Sequence, residues 1–217
     1  MSVNGEWNWF FDAAYCIHYP NDERRETIGK QFELVGLEPR YIHARKPWHK
    51  FNVTNMRRNP PIEFACNMSH IKAVIASCDD RNPIFFEDDV VFCDDWAARL
   101  NAVMNTIPYN WDVLYFGGHP REPTEFIGSD LYRVKTFSCA EAYAFNHGAQ
   151  RRFVRFWCDR IGKENAMYDF ILGEFAAENN AYAVYPTITS QVDGYSEIAG
   201  RIDIKGDLVE RGWQNNT

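Results

Sequence analysis

The sequence has no surplus of basic residues, no CxxC pair, no long apolar run and no histidine after His147. Lysine and arginine number 23 against 30 acidic residues, and the net charge of -7 argues against general affinity for nucleic acid. The six cysteines (Cys16, Cys66, Cys78, Cys93, Cys139 and Cys158) are scattered, mostly among apolar neighbours. That pattern suits reduced, buried thiols and speaks against a disulfide frame or a zinc site. A membrane-spanning helix needs about 20 consecutive apolar residues, and no such stretch exists. The aromatic opening (Trp7, Trp9, Phe10, Phe11) carries Glu6 and Asp12 without a basic leader, so it reads as neither signal peptide nor span. A cytoplasmic or other intracellular location, or one peripheral to a membrane, is therefore expected. With no internal repeat and no dividing linker, residues 1–217 are expected to form one domain.

What is present points to a folded α/β chain. Hydrophobic residues make up 46% and aromatics 16%, enough for a substantial core. The organising stretch is Ile84-Phe85-Phe86-Glu87-Asp88-Asp89-Val90-Val91. A short apolar run bounded by turn residues reads as a buried strand, and ligands of open α/β sheets gather at the carboxyl ends of such strands. Two carboxylates ~4 Å apart repel by roughly 4 kcal/mol at an effective dielectric near 20. A divalent cation relieves that repulsion, and oxygen ligands favour Mg²⁺ or Mn²⁺. The same residues also fit a solvated acidic turn.

Around this stretch the expected elements follow in order. Residues 13–18 form a strand, Asn21 or Asp22 caps a helix over 23–35 with Ile28, Phe32 and Val35 inward, and Gly36 stops it. Residues 41–43 form a second strand, which completes a βαβ opening and predicts a parallel sheet. A basic stretch (Arg40, Arg45, Lys46, Lys50, Arg57, Arg58) suits an anionic donor, an anionic acceptor, a membrane surface or simply a solvated loop. A helix over 62–78 buries Met68, Ile71, Val74, Ile75 and Cys78. Asp94 or Asp95 caps a helix through Trp96, Leu100, Val103 and Met104. Residues 111–116 make a strand that runs into a glycine turn, and 117–130 form a loop fit to border a cleft. Residues 131–137 alternate as a strand beside 141–145; helices follow at 148–161 and 168–179, a last strand at 181–185, and an irregular tail from Pro186.

Several of these segments resemble glycosyltransferase family 25, the lipooligosaccharide and collagen galactosyltransferase-like group. The similarity lies in Tyr15-Cys16-Ile17-His18 with Asp22-Glu23-Arg24-Arg25, in Cys66-Asn67-Met68-Ser69-His70, and in Glu87-Asp88-Asp89. It continues in Trp111 to Tyr115, in Ala142 to Phe145, and in Gln191, Ser196 and Ile198. The resemblance implies a GT-A type fold, with a Rossmann-like, mostly parallel sheet flanked by helices. It implies a nucleotide-binding half at about 1–116 and an acceptor-binding half at about 117–217. The activity implied is inverting transfer from a nucleotide sugar, most simply UDP-linked, to a glycan, lipid-linked or protein-linked acceptor with Mn²⁺ or Mg²⁺.

The residues implied for the donor are Ile17, His18, Arg24, Ser69, His70, Glu87, Asp88 and Asp89, with Glu87 and Asp89 on the metal. In an extended strand Glu87 and Asp89 share one side and Asp88 takes the other, so Asp88 supports from behind or serves structure. Arg24, at a helix start, suits a diphosphate, although an ordinary surface arginine reads the same. His70 equally suits a buried histidine satisfied by backbone. Asp169 is the implied catalytic base or a plain helix cap, with Asp193 and Glu141 as substitutes. Many GT-A enzymes complete the metal shell with a late histidine, which this sequence lacks. Gln191, Asp193 or Ser196, or water and diphosphate, take that place. The rivals are a haloacid-dehalogenase-like phosphatase, which needs an aspartate nucleophile where Glu87 stands, and a non-catalytic sugar-nucleotide- or glycan-binding module.

Overall fold

A computed structural model describes residues 10–47, 60–161, 167–196, 201–203 and 205–216. The chain opens with strand β1 (Ala13–His18), helix α1 (Asp22–Val35) and strand β2 (Arg40–His43). Asn21 begins α1, its side-chain oxygen accepting from the N–H groups of Glu23 and Arg24 at 3.0 and 3.2 Å. Gly36 ends it at φ 67°, a left-handed conformation that costs a residue without Cβ little. Ile28, Phe32 and Val35 are buried as their spacing predicts. Helix α2 (Pro60–Ala76) follows, its two opening prolines placed where first-turn N–H groups have no helical acceptor. Then come β3 (Pro83–Glu87), a turn at Asp88 and Asp89, β4 (Val90–Phe92), α3 (Trp96–Met104) and β5 (Val113–Tyr115). Asp95 precedes α3 at the cap position, but its side chain makes no capping bond.

The remainder comprises β6 (His119–Pro120), β7 (Glu125–Gly128), β8 (Leu131–Val134), β9 (Phe137–Ser138) and β10 (Ala142–Phe145). Helices α4 (Ala149–Arg160) and α5 (Tyr168–Glu178) precede β11 (Ala181–Val184), β12 (Thr189–Gln191), β13 (Gly194–Ser196), β14 (Arg201–Asp203) and α6 (Lys205–Gln214). Eight strands share one sheet in the order β2-β1-β3-β10-β5-β11-β8-β7. Strand β1 pairs in parallel with β2 on one side and β3 on the other, so the chain leaves it first one way and then the other. Ile28 and Phe32 of α1 join the core on the face of Ala14 and Cys16. Ile71 and Val74 of α2 join the core on the opposite face, with Tyr15 and Ile17. A reversal of this kind leaves a crevice at the carboxyl ends of the strands.

Four expectations need correction. The sheet is mixed rather than mostly parallel: β1–β2, β1–β3 and β5–β11 are parallel, and the other four adjacent pairs are antiparallel. The causes are β10, which returns between β3 and β5 in the opposite direction, and β8, which runs against both β11 and β7. Accordingly residues 131–137 and 141–145 are not neighbours, because β8 lies between β11 and β7. Alternation in a strand sets the face that each residue takes and says nothing of the strand beside it. In α2, Ile75 is 55% exposed, while Ser69 and His70 are buried in its place. The expected irregular tail contains β12, β13, β14 and α6. Trp213 of α6 is fully buried, stacks on Tyr185 with ring centroids 4.4 Å apart, and donates to the Gly118 carbonyl at 3.0 Å. Strands from both sides of residue 116 interleave in the main sheet. Lys50, Arg57 and Arg58 of the basic stretch lie outside the described residues. Among the described residues no helix is long and apolar enough to cross a membrane.

Candidate functional site

A cavity of about 330 Å³ opens at the carboxyl ends of β1 and β3, with all three acids of the turn on its wall. Their side chains divide the work. Asp88 is 8% exposed, and its Oδ2 accepts from His18 Nδ1 at 3.2 Å and from the Tyr19 N–H at 2.8 Å. Its Oδ1 accepts from Arg24 Nη1 at 3.1 Å. Three donors on one carboxylate fasten the end of β1 to the end of β3, so Asp88 braces the cavity wall of which it is part. His18 is buried on this network, Ile17 lines the cavity, and Arg24 lines it with a side chain 45% exposed. The start of α1 is less open to an anion than expected, since Asn21 already occupies two of its N–H groups.

Glu87 looks in two directions. Its Oε1 lies 2.9 Å from His70 Nε2, and its Oε2 accepts from Gln191 Nε2 at 2.7 Å. The same Gln191 nitrogen reaches Asp89 Oδ1 at 3.3 Å. Gln191 arrives from the far end of the chain because β12 pairs with β4, and the Val192 N–H donates to the Asp89 carbonyl at 3.0 Å. One amide nitrogen held between two carboxylates marks where their negative potentials converge. Glu87 and Asp89 are the residues that could hold a hard divalent cation at that point, with Gln191 able to turn its amide oxygen toward it.

Ser69 and His70 have different tasks. Ser69 Oγ donates to the Ala65 carbonyl at 2.6 Å and accepts from the Arg45 N–H at 2.8 Å, which ties the segment after β2 to α2. His70 is 1% exposed and stacks on Tyr168 at 4.2 Å between centroids, while its Nδ1 lies 3.4 Å from Tyr143 Oη. Cys66, one helical turn before His70, also lines the cavity. Burial pushes its thiol well above the ordinary range, and the carboxylates of Glu87, Asp169 and Asp89 push it further. Cys66 was missed as a site residue, although its i, i+4 spacing to His70 puts both on one helix face.

Asp169 is the second residue of α5 rather than its cap, which is Met167. Its Oδ1 accepts from the Phe170 N–H at 3.0 Å, and the Cys139 N–H also reaches the carboxylate, from a backbone at φ 73°. Burial raises its pKa; the charge of Arg121 and these N–H groups pull the other way, and Glu87 adds to the rise. Asp169 is not on the cavity wall and reaches the site through its field. Glu141 is buried 2% exposed, and its carbonyl accepts from the Glu87 N–H at 2.8 Å. Its carboxylate packs so closely on Gly117 that a Cβ there would overlap Glu141 Oε1 and Thr189 Oγ1. Asp193 is exposed and away from the cavity wall, and the side chain of Ser196 lies outside the described set.

No family model matches this chain, and no curated protein matches its sequence. Among solved structures it is similar to A197 from STIV, with 11% identity, 88% of this chain and 91% of that chain covered, and a TM-score of 0.41. It is also similar to a UDP-glucose pyrophosphorylase complexed with UDP-glucose, with 8% identity, 79% of this chain and 71% of that chain covered, and a TM-score of 0.39. At these scores the likeness carries no functional argument.

Proposed function

We propose that this chain is a metal-dependent glycosyltransferase of the GT-A type, related to family 25, that moves a sugar from a UDP-sugar to a hydroxyl acceptor with inversion. The observation that carries the reading is the convergence of Glu87 Oε2 and Asp89 Oδ1 on a single point, at the carboxyl end of β3 and beside a ligand-sized cavity. Glu87, Asp89 and Gln191 would hold Mn²⁺ or Mg²⁺, and the bound ion would supply positive charge to offset the departing diphosphate. Asp88 keeps the ends of β1 and β3 in register and aims Arg24 along the cavity wall, where its guanidinium can meet a phosphate.

In the transfer the bond from the anomeric carbon to the diphosphate oxygen breaks, its electron pair leaving with the diphosphate. A bond forms from the acceptor hydroxyl oxygen to the same carbon, and the hydroxyl proton goes to a carboxylate. Asp169 is the proposed receiver: it stands off the wall of the donor cavity, so the acceptor hydroxyl would have to approach from its own side, and a pKa raised by burial suits that task. The decisive measurement is thermal stabilisation by UDP-sugars with and without Mn²⁺, because a ligand at 100 times its Kd adds about 2.7 kcal/mol to stability. Stabilisation that requires both ligands and disappears in Asp89→Ala is expected. Stabilisation of equal size without metal, or in Asp89→Ala, overturns the reading. Asp169→Asn should keep that stabilisation and lose roughly 10²- to 10⁴-fold in transfer rate. Donor binding with no transfer to any acceptor pool favours the binding module instead.

A further inference from the structure

We infer that Cys66, His70 and Glu87 form a second, softer cation site, of the class that takes Zn²⁺. The Cys66 sulfur, a His70 ring nitrogen and a Glu87 carboxylate oxygen lie within 4.8 Å of one another. Zinc bonds of about 2.3 Å to sulfur and about 2.0–2.2 Å to nitrogen and oxygen draw such a trio onto one ion with shifts of about 1 Å or less. Helix α2 supplies the first two ligands from one face, a turn apart, and that face meets the end of β3 where Glu87 stands. All three residues line the cavity, so an ion can reach them. A sulfur–nitrogen–oxygen set prefers zinc over manganese and magnesium, which favour oxygen alone.

The surroundings of His70 suit ligation. Its ring is fixed by stacking on Tyr168, and Nε2 already points at Glu87. For Nε2 to bind an ion, the proton of a neutral imidazole moves to Nδ1, where Tyr143 Oη stands 3.4 Å away to accept it. Tyr143 in turn has Tyr168 Oη at 2.7 Å as an acceptor for its own hydrogen. A ligating histidine whose second nitrogen is held by an outer partner is the usual arrangement. The Cys66 thiol gives up its proton to solvent, so each ion bound releases one proton. This site does not depend on the transferase reading, because it uses Glu87 Oε1, whereas that reading uses Oε2 with Asp89 and Gln191.

The test titrates the full chain with Zn²⁺ by calorimetry and with Co²⁺ by absorption, since a thiolate ligand gives cobalt a charge-transfer band in the near ultraviolet. One Zn²⁺ per chain and a thiolate–cobalt band are expected. Cys66→Ser should remove the band and weaken zinc by more than about tenfold, given that loss of an outer partner alone costs about 10- to 100-fold. Tyr143→Phe should weaken zinc while keeping the band. Asp89→Asn should keep the band as well; its loss there would mean that the ion requires Asp89 and would overturn the inference of a site separate from the acidic pair. No band in the wild type, or equal zinc affinity in Cys66→Ser, also overturns it. Because Cys66→Ser exchanges a single atom, it decides the matter even if His70→Gln fails to fold. Failure of Mn²⁺-dependent UDP binding, by contrast, would leave this result untouched.

Discussion

The two sides of Glu87 make an instructive contrast. On Oε1 stand an imidazole and, within reach, a thiol, both from the helix immediately before the strand. On Oε2 stands an amide shared with a second carboxylate, brought from 104 residues away by β12. One carboxylate thus faces nitrogen and sulfur on one side and oxygen on the other, and cations of different hardness should sort between the two. The largest effect follows from breaking what they share. Glu87→Gln should weaken both the Zn²⁺ response and the Mn²⁺–UDP response by more than about a hundredfold, whereas Asp89→Asn should spare the first. Calorimetric titration of each ion into both variants reads this directly. A Glu87→Gln protein that keeps either response at full strength would show that the sides do not share a ligand.

The comparison sharpens further within the acidic turn. Asp88 holds three donors in a buried place, while Asp89 faces Gln191 at the cavity. In Asp88→Asn the new amide N–H groups confront donors from His18, Tyr19 or Arg24, at a cost of about 2–3 kcal/mol. Asp89→Asn, which relieves repulsion from Glu87, should change stability by less than about 0.5 kcal/mol. Urea unfolding measures both. Equal losses would mean that the turn acts as one structural unit.

The sequence discloses those parts of this architecture that depend on neighbours along the chain. The β1–α1–β2 opening was legible because Asn21, the Ile28–Phe32–Val35 stripe and Gly36 each act within a few residues. The acidic triplet was legible because an apolar run ends abruptly in three like charges. Gln191 was visible only through the family resemblance, since its approach to Glu87 requires β12 to pair with β4. Cys66 passed as one more buried thiol because nothing local says that its helix face meets Glu87. The insertion of β10 and the docking of α6 were hidden for a related reason. Trp213 and Val209 sit four residues apart in a polar segment, and only the distant Tyr185 and Gly118 make the burial of Trp213 favourable.

A contrast between buried carboxyls gives a smaller effect with a definite sign. Asp169 has its pKa raised, so the folded state holds its proton more firmly than the unfolded chain does. Stability from this group is full below the ordinary carboxylate value of 3.8 and is lost as pH rises through the raised value. Asp169→Asn should therefore be more stable than the wild type at neutral pH, and the gap should close toward about pH 4. Melting temperatures across that range check it. A gap that widens on acidification would mean that the Arg121 charge and the backbone N–H groups dominate over burial.

The smallest structural effect belongs to Arg24, and it separates the wall of the cavity from its lining. Arg24 gives one bond to Asp88 from a side chain 45% exposed, and Asp88 retains His18 and Tyr19 when it is gone. A solvent-screened pair of this kind contributes less than about 1 kcal/mol, so Arg24→Ala should unfold almost as the wild type does. Its ligand effect should be larger. Since Asn21 already satisfies the Glu23 and Arg24 N–H groups, the proposed attraction for a diphosphate at this end of α1 would rest mainly on the guanidinium. Removing it should weaken Mn²⁺–UDP binding roughly tenfold, the size of a charge-assisted bond, and the deficit should shrink as salt screens the charge. Uridine carries no phosphate and should bind both proteins alike. An equal deficit for uridine would show that Arg24 shapes the cavity through Asp88 and does not touch the diphosphate.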